Sequence, residues 1–269
     1  MPKINIGKLN INFESEGSGY PIVFIHGHGS NLHFFDGLAS YLKRDYTVYR
    51  YDQRGYGLTD KPLKPPYSTE LWAEDLYWFF KKLGIKKAIL GGHSMSGRIL
   101  VTFTVSHPEM VEGLISLNCT WFGSNPKVSA ELERDVSKVE RDGMSAAVEW
   151  SPMVNAVPKS IPSIAELERG ELLKNDPKSY ALAMRAVAKD FGGDSREELL
   201  KALECPTLIL IGDRDSAPLE GAIKMYKGIK NSRLAVIPFS GHCSILERPE
   251  ISKAVIKDFV NEIKSSTPK

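Results

Sequence analysis

The run Ile89-Leu90-Gly91-Gly92-His93-Ser94-Met95-Ser96-Gly97-Arg98 places a serine between a short apolar stretch and a segment of helical spacing. A serine on a tight strand-to-helix turn projects its hydroxyl above the sheet at a helix amino terminus, which is the setting of a nucleophile. Small residues two before and two after it let strand and helix pass closely. Gly92 fills the first place; Ser96 stands in the second, where glycine is usual, with Gly97 one residue late. Serine is the next smallest choice. A nucleophilic serine needs a base and a group that orients the base. Downstream, the apolar run 207–211 leads into Gly212-Asp213-Arg214-Asp215-Ser216-Ala217-Pro218, and the run 234–237 leads into Pro238-Phe239-Ser240-Gly241-His242. Neutral His242 would take the Ser94 proton, and Asp215 would hold the imidazole tautomer and stabilise the imidazolium. Asp213 is the alternative acid; its place directly after the strand suits a cap or an ion pair.

These groups need a frame. Ile4, Ile6, Leu9, Ile11 and Phe13 alternate with polar residues, which predicts an opening antiparallel hairpin with one wet face. The runs 21–25, 46–51, 88–90, 114–117, 207–211 and 234–237 are mainly apolar, as in parallel strands buried on both faces. Helical spacing lies between them, over 70–83, 97–106 and 249–264. Trp72, Trp78, Phe79 and Phe80 read as the buried face of the first of these. Strand and helix in repetition predict a doubly wound α/β sheet. From Trp121 to Leu203 the rhythm breaks: there is no strand signal, only helical patterning with prolines and charges. The organisation expected is a core of 1–120 and 204–269 with a helical cap, 121–203, inserted between two late strands. Such an insertion would roof the carboxyl edge of the sheet, where open α/β sheets bind ligands. Its apolar residues Trp121, Phe122, Trp150 and Met153, with Val154, Val157, Ile161 and Met184, are the candidate substrate pocket.

The chain has 269 residues, with 35 basic and 33 acidic side chains for a formal net charge of +2. That balance provides no clustered basic surface for nucleic acid or anionic lipid. An apolar share of 42% and a charged share of 25% are those of a folded globular chain. No run approaches the ~18 apolar residues of a membrane span, and Met1-Pro2-Lys3 opens no signal-peptide core. Cys119, Cys205 and Cys243 are too few and scattered for a disulfide framework or a metal site. A cytoplasmic protein, monomeric or a small homo-oligomer, is expected. His26, His28 and His33 lack partners at ligand spacing, so neither metal nor cofactor is expected.

At this point the chain resembles the α/β-hydrolase family over nearly its whole length. His26-Gly27-His28-Gly29 is similar to the family's His-Gly oxyanion motif, and Asp52-Gln53-Arg54-Gly55-Tyr56-Gly57 to its Asp-x-Arg-Gly-x-Gly loop. The acid segment Gly212-x-x-Asp215-x-x-Pro218, and Gly241-His242 followed by Leu246-Glu247-Arg248-Pro249-Glu250, complete the likeness. The resemblance implies an oxyanion hole from the backbone N–H groups of His28 and Met95. Met95 also lies in the first turn of the elbow helix, where N–H groups lack intrahelical partners. The relatives that use an elbow aspartate, haloalkane dehalogenases and most epoxide hydrolases, do not match Ser94. Carbon–carbon hydrolases usually carry Asn where His93 stands, and haloperoxidase-like relatives carry Phe or Trp where His28 stands. The implied activity is hydrolysis of small apolar carboxylic esters through an acyl-enzyme. Two alternatives stay open. Ser96 resembles the plant receptor-type hydrolases, which bind a ligand and turn over slowly. A proline iminopeptidase-like amidase would need an acidic pocket, which Glu149, Glu166, Glu168 and Glu171 could supply.

Overall fold

The structure, a computed structural model, describes residues 2–64, 67–119, 124–193, 196–217 and 219–266. The alternating amino-terminal stretch forms two antiparallel strands, β1 (Lys3–Asn5) and β2 (Asn10–Glu16), with Ile4 opposite Ile11. Six further strands follow: β3 (Tyr20–Ile25), β4 (Tyr46–Tyr51), β5 (Ala88–His93), β6 (Val111–Leu117), β7 (Thr207–Gly212) and β8 (Ser232–Ile237). They make one eight-stranded sheet in the order β1-β2-β4-β3-β5-β6-β7-β8, parallel from β4 onward.

Helices cover both faces, which is what lets the central strands be apolar throughout. α1 (Asp36–Leu42) lies on one side. On the other, α2 (Thr69–Leu83) starts at Ser68, whose hydroxyl accepts from the Leu71 N–H, and stops at left-handed Gly84. α3 (Ser96–Ser106) follows the elbow. Between β6 and β7 the described residues contain helices alone: α4 (Pro126–Asp142), α5 (Met144–Val148), α6 (Pro152–Asn155), α7 (Pro162–Leu173), α8 (Pro177–Gly192) and α9 (Glu197–Lys201). Val136, Val139, Leu172, Tyr180 and Met184 form a cluster of their own there. The chain ends with α10 (Leu219–Gly228), α11 (Ser244–Glu247) and α12 (Pro249–Ser266).

Two expectations need correction. The run 234–237 is not buried on both faces: β8 is the sheet's edge strand, and Val236 is 41% exposed. Trp72, Phe79 and Phe80 are buried in the core, but Trp78 is 43% exposed, because its position on α2 turns away from the sheet.

Candidate active site

The elbow is built by close approach. Ser94 directly follows β5 and has a φ of 54°, a left-handed conformation that costs a non-glycine residue energy. Its N–H donates to the Leu117 carbonyl at 2.9 Å, so β6 holds the turn. A Cβ on Gly92 would come within 3.0 Å of both Ser96 and Leu100, which explains glycine there. The other small position is more than a steric concession. The Ser96 hydroxyl is fully buried and donates to the His26 carbonyl, which also accepts from Gln53 Nε2 at 2.5 Å. Gln53 Nε2 further donates to Ser96 Oγ at 3.2 Å, and the Gln53 N–H donates to His26 Nε2 at 3.0 Å. A glycine could not tie elbow to β3 loop in this way.

The structure brings Ser94, His242 and Asp215 together. His242 Nε2 is 2.9 Å from Ser94 Oγ, and Nδ1 is 2.8 Å from Asp215 Oδ1. The Asp215 side chain is completely buried and that of His242 is 5% exposed. Burial alone would raise the Asp215 carboxyl. The facing imidazole, the Ala217 N–H and the Asn118 amide outweigh it, and the carboxyl sits below its ordinary value. Asp213 is a loop brace: its carboxylate accepts the Ser240 N–H at 3.0 Å. His93 is pushed down to about 3, first by burial and then by its neighbour His242, so it stays neutral.

His28 and Met95 both line the cavity at Ser94, where the oxyanion donors of the resemblance would be needed. Burial pushes His28 down to about 3; its Nδ1 is hydrogen-bonded to the Tyr56 hydroxyl and its ring lies 4.2 Å from that of Tyr180. The loop behind is fixed by Asp52, which accepts the Leu32 and Leu58 N–H groups and the Asn12 amide, each at 2.8 Å. Arg54 grips Asp75 with two bonds, of 2.7 and 2.6 Å.

The cavity over Ser94 has a volume of about 210 Å³. Trp150, Met153 and Met184 line it, as expected; Val154, Val157 and Ile161 do not, because they pack into the clusters behind. Trp121 and Phe122 lie outside the described residues. Leu132, Val187 and Phe191, from α4 and α8, were missed in the sequence, where nothing distinguishes them from ordinary helix core. None of Glu149, Glu166, Glu168 and Glu171 lines the cavity; Glu168 is instead a buried carboxyl pushed up to about 8 by burial and by Glu171. Asn118 and Gln53 were also missed, and both touch the site through hydrogen bonds. The only three-residue group of ligand-type side chains among the described residues is Glu14, His33 and Asp36; none of the three lines the cavity at Ser94, and the group is already paired in part with Arg50. No helix of the described residues is long and apolar enough to cross a membrane.

Comparison with known proteins points to the same fold. A profile of the alpha/beta hydrolase fold matches residues 20–148. A putative non-heme chloroperoxidase of Synechocystis is 30% identical over 265 residues, covering 90% of this chain and 93% of that protein. A 2-(acetamidomethylene)succinate hydrolase of Mesorhizobium japonicum is 27% identical over 96% of this chain and 94% of its own. Among solved structures, a thermophilic esterase from Thermogutta terrifontis superimposes with a TM-score of 0.88 at 27% identity, over 95% of this chain and 94% of its own. The names diverge in reaction while the fold is shared. The chain belongs to the α/β hydrolase fold family.

Proposed function

We propose that the protein is a serine hydrolase that cleaves small, largely apolar carboxylic esters through an acyl-enzyme. The observation that carries this reading is the unbroken chain Ser94 Oγ–His242 Nε2 (2.9 Å) and His242 Nδ1–Asp215 Oδ1 (2.8 Å) at the mouth of the cavity. Ser94 Oγ attacks the ester carbonyl carbon as His242 takes its proton. The N–H groups of His28 and Met95 receive the negative charge on the former carbonyl oxygen. His242 then returns the proton to the departing alkoxide, which leaves as an alcohol. Water, deprotonated by the same imidazole, attacks the acyl carbon, and the imidazolium returns that proton to Ser94 Oγ as the acyl C–O bond breaks and the acid leaves. Segment 121–203 acts as the cap that shapes the acyl site. The similarity to the Thermogutta esterase supports the ester; the absence of the four cap glutamates from the cavity lining weighs against an amidase that holds a substrate amino group. Three free cysteines, two of them buried, fit a cytoplasmic setting.

A panel of p-nitrophenyl esters of graded acyl length tests the reading. Sustained turnover of short-chain members is expected. A single burst that stalls after about one equivalent would mean a ligand-binding, receptor-type hydrolase instead.

A further inference from the structure

Asn118 directly follows β6 in a left-handed conformation, φ 55°, and its N–H donates to the Leu210 carbonyl at 2.8 Å. Asparagine is among the few non-glycine residues that adopt this backbone readily. The turn aims its side chain under the acid of the site. Asn118 Nδ2 donates to Asp215 Oδ2 at 2.7 Å and to the Gly241 carbonyl at 3.1 Å. The other end of the amide is held as well, because Ser244 Oγ donates to Asn118 Oδ1 at 2.5 Å. Asn118 is 2% exposed and Ser244 is fully buried, so water does not substitute for these bonds.

The two oxygens of Asp215 are treated differently. Oδ1 receives His242 Nδ1 at 2.8 Å and the Ala217 N–H at 2.9 Å. Oδ2 receives the Asn118 amide. We infer that Asn118 is the positioning residue of the acid: it fixes the rotation of the Asp215 carboxylate so that Oδ1 meets His242, and Ser244 fixes Asn118 in turn. The inference rests on the triad reading above and extends the hydrogen-bonded chain to Ser244–Asn118–Asp215–His242–Ser94. The amide also draws charge from Asp215, and so sets how strongly the carboxylate favours the imidazolium.

Two variants separate positioning from packing. Asn118→Gly keeps the left-handed backbone at no steric cost and removes the amide. Asn118→Asp keeps the shape and replaces the donor by a second carboxyl beside Asp215. Each is measured in two ways: steady-state kinetics on p-nitrophenyl butyrate, and the rate at which a fluorophosphonate labels Ser94, read by intact mass. The second readout needs no assumption about the natural substrate. For Asn118→Gly, kcat and the labelling rate should each fall about 10- to 100-fold, the scale of one lost hydrogen bond to a buried charge, with KM within about twofold. For Asn118→Asp, two buried carboxyls in contact share one proton, so the variant keeps a donor to Asp215 at low pH and loses it as that proton leaves; its activity profile should gain an alkaline fall that the parent lacks. A purely structural role would lower the melting temperature and leave the profile of the folded fraction in place. Wild-type labelling and kcat in Asn118→Gly, or a superimposable profile in Asn118→Asp, would overturn the inference alone. Should the unmutated protein neither label at Ser94 nor turn over any ester, the triad reading itself falls, and the inference with it.

Discussion

His93 Nε2 donates to the backbone carbonyl of His242, 2.8 Å away, so the residue before Ser94 holds the loop that carries His242. The tautomer follows from the acceptor: Nε2 carries the proton, and Nδ1 is a bare, buried nitrogen. The ring also packs 4.4 Å from Phe34 and 4.8 Å from His242, centroid to centroid. His93→Phe keeps the ring and deletes the donor, leaving the His242 carbonyl unpaired. A stability loss of ~1–3 kcal/mol is expected from denaturant unfolding, with a fall in kcat, since the base loop loses its strap. Unchanged stability and kcat would show that the bond does not hold the loop.

Glu168 on α7 carries a testable pH dependence. Burial, aided by Glu171, pushes its carboxyl from the ordinary 4.5 up to about 8. Between those values the folded chain keeps a proton that the unfolded chain has lost. Stability therefore falls as pH rises through that window and levels off above it. Every tenfold difference in proton affinity between the two states is worth ~1.4 kcal/mol, so the whole effect amounts to a few kcal/mol. The melting temperature of Glu168→Gln minus that of the parent should rise from pH 5 to pH 8.5. Parallel curves would place the carboxylate in contact with solvent.

The cavity wall should set acyl length. Leu132 and Val187 line the cavity from α4 and α8 and are only partly buried, so changing them disturbs the core less than changing Met153, which also packs against Cys243. Leu132→Ala should move the preferred p-nitrophenyl ester toward longer chains and Val187→Phe toward shorter ones. Each methylene gained or lost should change kcat/KM by ~1–3 kcal/mol of discrimination. An acyl-length profile that moves with neither substitution would mean the acyl group lies elsewhere.

Chelation should not matter. Glu14, His33 and Asp36 bring ligand-type atoms within 4.8 Å of one another, but the Arg50 guanidinium already pairs with Glu14 at 2.7 Å and with Asp36. Dialysis against EDTA is expected to leave ester turnover within twofold. Activity lost on dialysis and restored by zinc or magnesium would contradict a metal-free mechanism.

Ser94, Asp215 and His242 were legible as a set because each follows an apolar run that forms a strand: Ser94 after β5, Asp215 after β7, His242 after β8. Asp215 was preferred to Asp213 from the sequence, because Asp213 directly after the strand suits a cap; in three dimensions Asp215 meets the imidazole and Asp213 a backbone N–H. Asn118 also follows a buried strand, and a lone polar residue at that place was the signal available for it. Nothing local, however, says that an asparagine will face a carboxylate 97 positions away. The edge position of β8 was illegible because Leu234-Ala235-Val236-Ile237 is as apolar as a central strand, and sheet order is set by long-range pairing. Val154, Val157 and Ile161 were indistinguishable from Met153 by type. Which of them meets the cavity depends on how short helices pack, and only Met153 does.

The central claim is that Ser94 is the nucleophile, and Ser94→Ala tests it most directly. The hydroxyl removed meets His242 and opens on the cavity, and alanine leaves less bulk at a tight turn, so the fold should persist. Steady-state hydrolysis of the best p-nitrophenyl ester should fall on the order of 10⁴- to 10⁶-fold, with circular dichroism and melting temperature close to those of the parent. A purified, folded Ser94→Ala protein that turns over the ester at a near-parental rate would contradict the account.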